Sequence, residues 1–393
     1  MAINTDNNKI EDLLTRGVAE VIHGESLRKK LLSGKLLRIK LGIDPTSPNI
    51  HLGRSIPLLK LRDFQELGHQ IVFIVGDFTG IIGDTSDKES ERPMLTQEQV
   101  EENKENYFVQ VSKILDIESV EFRYNSEWLE NLTYREIGEH ADLFSVSDFV
   151  ARENIKRRLD EGKRVSLREV LYPLMQGYDS VAVRADVEIG GTDQRFNLLA
   201  GRIMQPHFKQ EPQEILTNPL INGTDGRKMS SSWGNTINLL DNATDMYGKV
   251  MSMQDAEIMT YFTMCTRVSL SQVTDFEREL GEGTNPRDIK MKLAFEITRM
   301  YHGEKGAKEG EAYFVDTFQN KQTPEDVLEI LAPYTESIIA IGVVVSKTEL
   351  RRLLEAGGVR YAGSGEKLDE IPEAVVEPCV LKIGKRRFVK LMP

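Results

Sequence analysis

The chain has 393 residues, of which 40% are hydrophobic and 28% charged, and its formal net charge is −12. A single hydrophobic core rarely grows beyond about 250 residues, so this length predicts two or three domains. No apolar run reaches the ~18 residues that span a bilayer, and residues 1–30 lack the order of a secretory signal, so we expect a cytoplasmic protein without a membrane role. The two cysteines stand in unrelated contexts, which excludes a disulfide framework and a thiolate zinc site.

The first predicted unit combines two strands and a helix. Residues 36–43 predict a strand, residues 56–67 a helix that ends before Gly68, and residues 71–75 a strand covered on both faces. Such a unit is a right-handed parallel crossover, and it brings the loop and the helix N-terminus to the C-terminal edge of the sheet, where ligands bind.

The loop of this unit contains GIDPTSPNIHLGR, residues 42–54. His51 can donate to a phosphate oxygen, Gly53 lets the backbone approach closely, and the helix N-terminus adds a partial positive charge. These features predict a phosphate site, and a surface loop with a solvated histidine is the alternative.

Two further motifs follow in the chain. GDFTGIIGDTSDK, residues 76–88, contains Asp84, which could bind a substrate ammonium or cap a turn. After a mostly helical stretch, YPLMQGYD places Tyr172, Gln176 and Asp179 at helical positions i, i+4 and i+7, on one face. Burying three polar groups without partners is costly, and a ligand with an ammonium and a hydroxyl would satisfy them; the alternative is a solvated stripe.

A second crossover unit begins with a strand at residues 187–189, which leads into GGTDQ and a helix at residues 196–203. The two glycines could pack against a nucleotide, and Asp193 could accept hydrogen bonds from ribose hydroxyls. Two crossover units separated by an insertion predict an α/β fold with a Rossmann-like, doubly wound parallel sheet.

The remaining motifs are a loop and a basic tail. In GRKMSSS, Lys228 and three hydroxyls could close over the β and γ phosphates and neutralise charge that develops during displacement, although any flexible loop could have this composition. Residues 242–318 have a helical pattern. Residues 346–393 contain ten Lys or Arg and seven Asp or Glu, a balance of +3 that leaves −15 for the rest, and they predict a helix with a glycine stop and a hairpin turning at Gly384.

These elements predict three regions. The first is a Rossmann-like catalytic domain in residues 1–225, with a helical insertion at about 96–167. The second, residues 226–325, holds the KMSSS loop and a helical domain. The third, residues 326–393, is a linker and a small α+β module.

The motifs together resemble class I aminoacyl-tRNA synthetases, and among them the bacterial tyrosyl-tRNA synthetases. HLGR at 51–54 and KMSSS at 228–232 resemble the two class signatures, while YPLMQGYD, GIIGD and GGTDQ are similar to the tyrosine branch. RYNSEWL and, in the tail, GGVRYAG and GKRRFVKL extend the likeness over nearly the whole chain, and the tail is similar to a small RNA-binding module of ribosomal-protein type. The resemblance implies a homodimer that binds tRNA(Tyr) across both subunits, tyrosine and ATP as substrates, and Mg²⁺ held mainly through the phosphates, with no metal site of protein ligands.

The resemblance also implies roles for individual residues. The tyrosine would be bound by Asp84, Tyr172 and Gln176 at its ammonium, by Asp179 at its phenol oxygen, by Gln194 near its carboxylate or the α-phosphate, and by Lys40. ATP would be bound by Leu41, Gly42, Asp44, Gly53, Gly191, Asp193 and Met229. Catalysis at the departing pyrophosphate would involve Thr46, His51, Arg54, Lys228 and Ser231.

Three positions depart from the family pattern. The first signature usually ends in His where this chain has Arg54, which could still reach ribose or phosphate. The second usually has Lys where this chain has Ser231, and loss of a cation that acts in the transition state can cost ~3 kcal/mol, so we expect slower activation. Lys40 stands where one bacterial branch has a second phenol-binding Tyr and the other reads KLG, which leaves the second partner of the tyrosine hydroxyl open.

Two other functions compete with a tyrosine ligase. A tryptophan ligase would need an indole pocket in place of Asp179. A catalytically silent RNA-binding relative is suggested by Arg54 and Ser231, but it would have no need of the retained Tyr172 and Gln176. The implied reaction proceeds by attack of the tyrosine carboxylate on ATP and needs no protein nucleophile.

Overall fold

The computed structural model describes residues 3–84, 94–319, 327–384 and 387–393. Residues 85–88 of the GDFTGIIGDTSDK motif and part of the predicted linker lie outside the described residues. The strands are β1 (Glu20–Ile22), β2 (Arg38–Ile43), β3 (Gln70–Val75), β4 (Val120–Tyr124), β5 (Val187–Gly191), β6 (Glu214–Asn218), β7 (Glu329–Ile330), β8 (Val359–Tyr361), β9 (Cys379–Ile383) and β10 (Arg387–Leu391).

The α-helices alternate with these strands and fill the insertion. They are α1 (Asn7–Thr15), α2 (Gly24–Leu32), α3 (Leu52–Glu66), α4 (Asp77–Ile82), α5 (Gln97–Glu105), α6 (Tyr107–Val111), α7 (Ser126–Leu129), α8 (Tyr134–Ala141), α9 (Val146–Val150), α10 (Glu153–Asp160), α11 (Leu167–Val183), α12 (Arg195–Met204), α13 (Ala243–Met251), α14 (Ile258–Cys265), α15 (Leu270–Gly281), α16 (Pro286–Phe314), α17 (Tyr334–Ala340) and α18 (Lys347–Glu355). Helix α16 is broken at Gly303, whose φ is 71°. None of the helices in the described ranges combines the length and the apolarity that a membrane span requires.

The larger sheet has six strands in the order β1-β6-β5-β2-β3-β4. Strand β1 is antiparallel to β6, and the other neighbouring pairs are parallel. The chain runs outward from β2 through β3 to β4, and it later returns to β5, on the other side of β2. The strand order therefore reverses between β2 and β5, and ligands bind at such a switch point in doubly wound folds. The predicted Rossmann-like α/β fold is confirmed.

The apolar pattern explains which strands the sequence predicts. Strand β3 is buried along five consecutive residues, because helices cover both faces of a parallel sheet. Strand β4 lies inside the stretch predicted to be mostly helical, and all but one of its residues are half-buried. As an edge strand with alternating polar residues, β4 lacks the continuous apolar run that identifies β3.

Helices α3, α11 and α12 lie where their motifs predict them. A buried ion pair between Arg158 and Glu169, 2.6 Å apart, holds the first turn of α11, and Glu169 also closes a capping box with Ser166. Thr192 begins a 3-10 turn, and Gln194 occupies the cap position of α12.

The contacts group the chain into two compact units. One consists of Met1–Asp241 with Ser252–Ile297, and the other of Asn242–Met251 with Thr298–Pro393. The first unit contains the six-stranded sheet. The division into residues 1–225, 226–325 and 326–393 remains a prediction.

The second unit ends in a small α+β module. Its sheet has the order β7-β10-β9-β8, and β9 and β10 form the predicted antiparallel hairpin, with Gly384 at a φ of 70°. The predicted helix is α18, and Gly357 follows it at a φ of 64°. Its buried core includes Ile330, Tyr334, Ile338, Val344, Leu350, Val359, Leu381, Ile383, Val389 and Leu391.

Candidate functional site

A cavity opens at the C-terminal ends of β2, β3 and β5, beside the point where the strand order reverses. Among the residues that line it are Leu41, Gly42, Asp44, Thr46, His51, Gly53, Arg54, Asp84, Tyr172, Gln176, Asp179, Gly191, Asp193, Gln194, Lys228, Met229 and Ser231. All the predicted site residues except Lys40 are therefore brought together. The two class signatures and the Tyr, Gln, Asp helix share one cavity.

The three polar residues of α11 form one wall of this cavity. Tyr172, Gln176 and Asp179 are 5%, 9% and 3% exposed, so they do not form a solvated stripe. The helix can approach α12 closely because residue 177 is glycine: a Cβ there would lie 2.7 Å from the sulfur of Met204. This close packing fixes the height of the wall above the sheet.

Asp179 is held by two donors from the segment after β4. Trp128 Nε1 donates to its Oδ1 at 2.8 Å, and Asn125 Nδ2 lies 3.3 Å from its Oδ2. Burial raises the pKa of Asp179 to about 7, although Lys40 and these hydrogen bonds act in the opposite direction. The sequence motif RYNSEWL includes Asn125 and Trp128, but we did not predict them as site residues. Residues directly after a parallel strand are candidates for a site at the sheet edge. The sequence does not identify β4 as a strand, so Asn125 and Trp128 were not predicted to belong to the site.

Asp44, at the end of β2, accepts hydrogen bonds from two other elements. The Tyr172 hydroxyl donates to its Oδ2 at 2.8 Å and the Thr79 hydroxyl to its Oδ1 at 2.7 Å. Burial, and next the charge of Asp44, raise the pKa of Tyr172 well above its usual value, so this hydroxyl keeps its proton. Glycine is required at residue 76, because a Cβ there would collide with Asp44 and Thr79. Asp44, predicted at the ATP side, thus also contacts a residue of the predicted tyrosine site.

Lys40 lies beneath the cavity wall and does not line the cavity. Its ammonium is fully buried, 2.8 Å from Glu188, and it also donates to the Gln176 carbonyl at 2.9 Å and the Ser180 hydroxyl at 2.8 Å. The prediction that Lys40 contacts the substrate is therefore corrected: a buried ammonium needs an acid, and Lys40 pairs with Glu188, its register partner on the adjacent strand. Sequence reasoning missed Glu188, whose signal was a single acid within the apolar strand β5.

The opposite side of the cavity carries cations and hydroxyls. His51 is the cap residue of α3, and the Arg54 guanidinium donates to Thr46 Oγ1 at 2.8 Å and to Tyr107 Oη at 3.1 Å. The helix N-terminus adds its partial positive charge at this place. These residues can bind an anion such as a phosphate.

The KMSSS loop covers this side of the cavity. Lys228 Nζ lies 3.0 Å from Asp193 Oδ2, and the backbone N–H of Gly53 lies 3.3 Å from the sulfur of Met229. Ser231 is exposed and belongs to a short 3-10 turn. The loop thus contacts the 3-10 turn that follows strand β5 and the first turn of helix α3.

A small polar cluster supports the base of the loop. The Asp225 carboxylate accepts hydrogen bonds from Asn235 and Arg227, which lower its pKa to about 2. The Arg227 guanidinium stacks over the Trp233 ring at 4.8 Å from the centroid. Trp233 is half exposed, whereas Met229 is only 4% exposed and supplies apolar burial within the loop.

Comparison with known proteins agrees with this geometry. A family profile described as tRNA synthetases class I (W and Y) matches residues 32–319. The chain is 44% identical over 388 residues to the tyrosine–tRNA ligase of Thermotoga maritima, with 96% of each chain covered. It is 42% identical over 396 residues to a tyrosine–tRNA ligase of Dehalococcoides mccartyi, with 99% of this chain and 100% of the relative covered.

Solved structures support the same fold. A C-terminally truncated Aspergillus nidulans mitochondrial tyrosyl-tRNA synthetase is 20% identical, with a TM-score of 0.65 over 79% of this chain and 94% of that one. Tyrosyl-tRNA synthetase from Archaeoglobus fulgidus, complexed with L-tyrosine, is 23% identical, with a TM-score of 0.62 over 78% of this chain and 100% of that one. From the profile match and the identity over nearly its full length, the chain belongs to the class I tRNA synthetases and, within them, to the tyrosine–tRNA ligase family.

Proposed function

We propose that the cavity activates tyrosine with ATP and that the chain then transfers the tyrosyl group to the 3′ end of tRNA(Tyr). The observation that carries this proposal is one shared cavity: the buried face of α11, which offers acceptors for a tyrosine, lies opposite the His51 and Lys228 side, which offers donors for phosphates. Family membership supports the same activity.

The amino acid would bind along α11. Asp84, Gln176 and the Tyr172 oxygen would accept hydrogen bonds from the tyrosine ammonium. Asp179 would accept one from the phenol hydroxyl. Phenylalanine would leave this buried carboxylate without that partner, and an unpaired buried polar group is costly, so the site selects for the hydroxyl. An indole ring in place of the phenol would not supply a hydroxyl at this depth.

ATP would bind across the strand ends. Gly191 and Asp193 would contact the ribose, with Leu41, Gly42, Asp44, Gly53 and Met229 completing the nucleotide side and Gln194 near the carboxylate or α-phosphate. The tyrosine carboxylate attacks the α-phosphorus in line, the bond to the bridging oxygen breaks, and pyrophosphate leaves. Donors aimed at the departing group stabilise its developing charge. Thr46, His51, Arg54, Lys228 and Ser231 would form this donor set.

Mg²⁺ would accompany the phosphates. The described residues offer no group of three His, Cys, Asp or Glu side chains that could hold a metal ion, and the phosphate side of the cavity is built from cations and hydroxyls. This donor set fits an ion that enters with ATP and is held through phosphate oxygens, where it would neutralise phosphate charge.

In the second step, the terminal ribose hydroxyl of the tRNA attacks the adenylate carbonyl and AMP leaves. The helical region and the tail would bind the tRNA, because the tail has a positive charge balance within an acidic chain. We also propose that the reaction runs in the cytoplasm, where tRNA is charged for protein synthesis.

A homodimer would complete the tRNA-binding surface. The helices of the insertion expose large apolar side chains, with Tyr134 95%, Val146 76% and Leu167 71% exposed, which supports an interface there. Light scattering of the purified chain tests this, with a dimer mass expected and a monomer mass contradicting it.

Pyrophosphate exchange into ATP with a panel of amino acids tests the activity, and charging of tRNA(Tyr) tests the transfer. We expect exchange with tyrosine and not with phenylalanine or tryptophan. Exchange with tryptophan alone would favour the tryptophan ligase, and RNA binding without exchange would favour the silent relative.

A further inference from the structure

Beneath the proposed tyrosine site lies a buried network of five polar side chains, namely Lys40, Gln176, Ser180, Glu188 and Gln213. Each of these residues is at most 9% exposed. Together they join β2, β5, α11 and the segment before β6. A polar cluster of this size within the core requires strict pairing of donors with acceptors.

The pairing in this network has a fixed direction. The Lys40 ammonium can only donate, and it has three acceptors: the backbone carbonyl of Gln176, the Ser180 hydroxyl and Glu188 Oε1. An ionised Glu188 can only accept. The Ser180 hydroxyl, which accepts from Lys40, must therefore give its own proton to Glu188 Oε2, at 3.0 Å. Gln213 Nε2 also donates to Oε2.

The same rule decides how the Gln176 amide is turned. Its side-chain nitrogen lies 3.0 Å from Glu188 Oε1, and only the nitrogen of an amide can donate to a carboxylate. Gln176 also lines the cavity. Because its side-chain nitrogen donates to Glu188, the group that it offers to the cavity is its side-chain oxygen Oε1, an acceptor.

We propose that the buried Lys40–Glu188 pair is a positioning element that locks the Gln176 amide with its oxygen toward the cavity and thereby sets the preference of this subsite for a ligand ammonium. This inference rests on the proposed tyrosine site. Lys40 pairs with the Glu188 carboxylate, the carboxylate accepts a hydrogen bond from the Gln176 side-chain nitrogen, and the Gln176 side-chain oxygen faces the substrate. A neutral partner at residue 188 could either donate or accept, so Gln176 would be free to turn its nitrogen toward the ammonium, where it repels.

The test uses a double variant, Lys40→Met with Glu188→Gln, which removes both charges and leaves no ion buried without its partner. The probes are L-tyrosine and 3-(4-hydroxyphenyl)propanoate, which retains the phenol and the carboxylate but lacks the ammonium. Calorimetric titration with each probe gives its dissociation constant. We expect tyrosine to bind about tenfold more weakly or worse, since hydrogen bonds to charged groups are the strong ones. The affinity for the propanoate should be unchanged.

The matched control is Arg158→Met with Glu169→Gln, which removes another buried ion pair, one that joins α10 to the first turn of α11. It should lower the melting temperature without changing the ratio of the two affinities. If the Lys40 and Glu188 variant weakens both probes equally, or neither, the pair only supports the fold and the inference is wrong.

Two further outcomes keep the test decisive. If the double variant does not fold, Lys40→Gln with Glu188→Gln takes its place, because it also leaves no buried ion without a partner and keeps polar groups at both positions, and it is expected to show the same selective loss. If the wild-type chain does not bind tyrosine and does not support exchange, the proposed function is wrong. If the wild-type chain does both, and the double variant weakens both probes equally, only the proposed role of the Lys40–Glu188 pair is wrong.

Discussion

The proposed amino-acid end and the proposed phosphate end of the cavity are built differently. At the amino-acid end, Asp179 is buried and both its oxygens accept hydrogen bonds from protein donors, one of them from Trp128. At the phosphate end, the Lys228 side chain is 30% exposed, its ammonium lies beside Asp193, and Ser231 is exposed. The first end is organised before a ligand arrives, whereas the second can change its contacts when phosphates enter.

This difference matches the role that we propose for each end. Recognition of a hydroxyl against a hydrogen atom depends on groups fixed within a fraction of an ångström, which packing and supporting hydrogen bonds provide. Stabilising a departing pyrophosphate depends on charge that acts in the transition state, and a loop that moves can deliver it then. We therefore expect substitutions at the phosphate end to change rate and substitutions at the amino-acid end to change selectivity.

The largest effect should come from Lys228→Ala. Loss of a cation that acts on the leaving group should slow pyrophosphate exchange by about 10²- to 10³-fold, with little change in the affinity for tyrosine. Stopped-flow or exchange kinetics measure the rate, and calorimetry measures the affinity. Arg227→Ala is the matched control, because it removes the neighbouring cation, which lies outside the cavity lining. An equal fall in the exchange rate of both variants would contradict the specific role of Lys228 at the phosphate end.

Asp179→Asn should change selectivity more than rate. An amide cannot accept at both atoms, so the ratio of kcat/KM for tyrosine to that for phenylalanine should fall by about 10- to 100-fold. The KM for ATP should stay near the wild-type value. A parallel rise in both KM values would mean that Asp179 supports the fold of the whole cavity.

The raised pKa of Asp179 gives the same residue a pH signature. The pKa is about 7 in the folded chain and 3.8 in its ordinary state, so between these values the folded state binds more protons than the unfolded state. The free energy of unfolding should therefore fall as pH rises through this window, by at most about 1.4 kcal/mol per pH unit. Urea unfolding at pH 5 and pH 8 measures this slope. Asp179→Asn should remove this contribution, and an unchanged slope would contradict it.

Asp193→Asn should produce an intermediate effect at the nucleotide. A weaker acceptor for the ribose hydroxyls should raise the KM for ATP by about tenfold while the KM for tyrosine stays constant. The substitution also removes the ion pair with Lys228 and leaves that ammonium available to the phosphates. The exchange rate at saturating ATP should therefore fall by less than the KM for ATP rises. A selective rise in the KM for tyrosine would mean that Asp193 acts at the amino-acid end of the cavity and would contradict this prediction.

The smallest effect should come from Ser231→Lys. A second cation in the exposed turn should increase the exchange rate several-fold, less than the loss in Lys228→Ala, because no residue of the turn is buried and the new ammonium would not be held in one position. The melting temperature should not change, since Ser231 is exposed. A slower rate would show that the chain has adapted to serine at this position.

Much of the fold and the site could be predicted from the sequence. Strand β3 could be predicted from its continuous apolar run. Tyr172, Gln176 and Asp179 could be placed on one helix face because they lie within two turns of the same helix. Edge strands such as β4 carry no such pattern, so the segment that follows it, with Asn125, was not predicted as part of the site.

By itself the sequence determined the two crossover units, the helix face and the signature motifs, because each depends on residues that are neighbours along one element. Only the tertiary structure decided that Lys40 lies under the cavity and pairs with Glu188. That pairing depends on which strands are adjacent and in what register, and the acceptors of Lys40 include a carbonyl 136 residues away in the chain. Whether a buried charge meets a substrate or a partner is a property of packing between distant segments, and no local pattern records it.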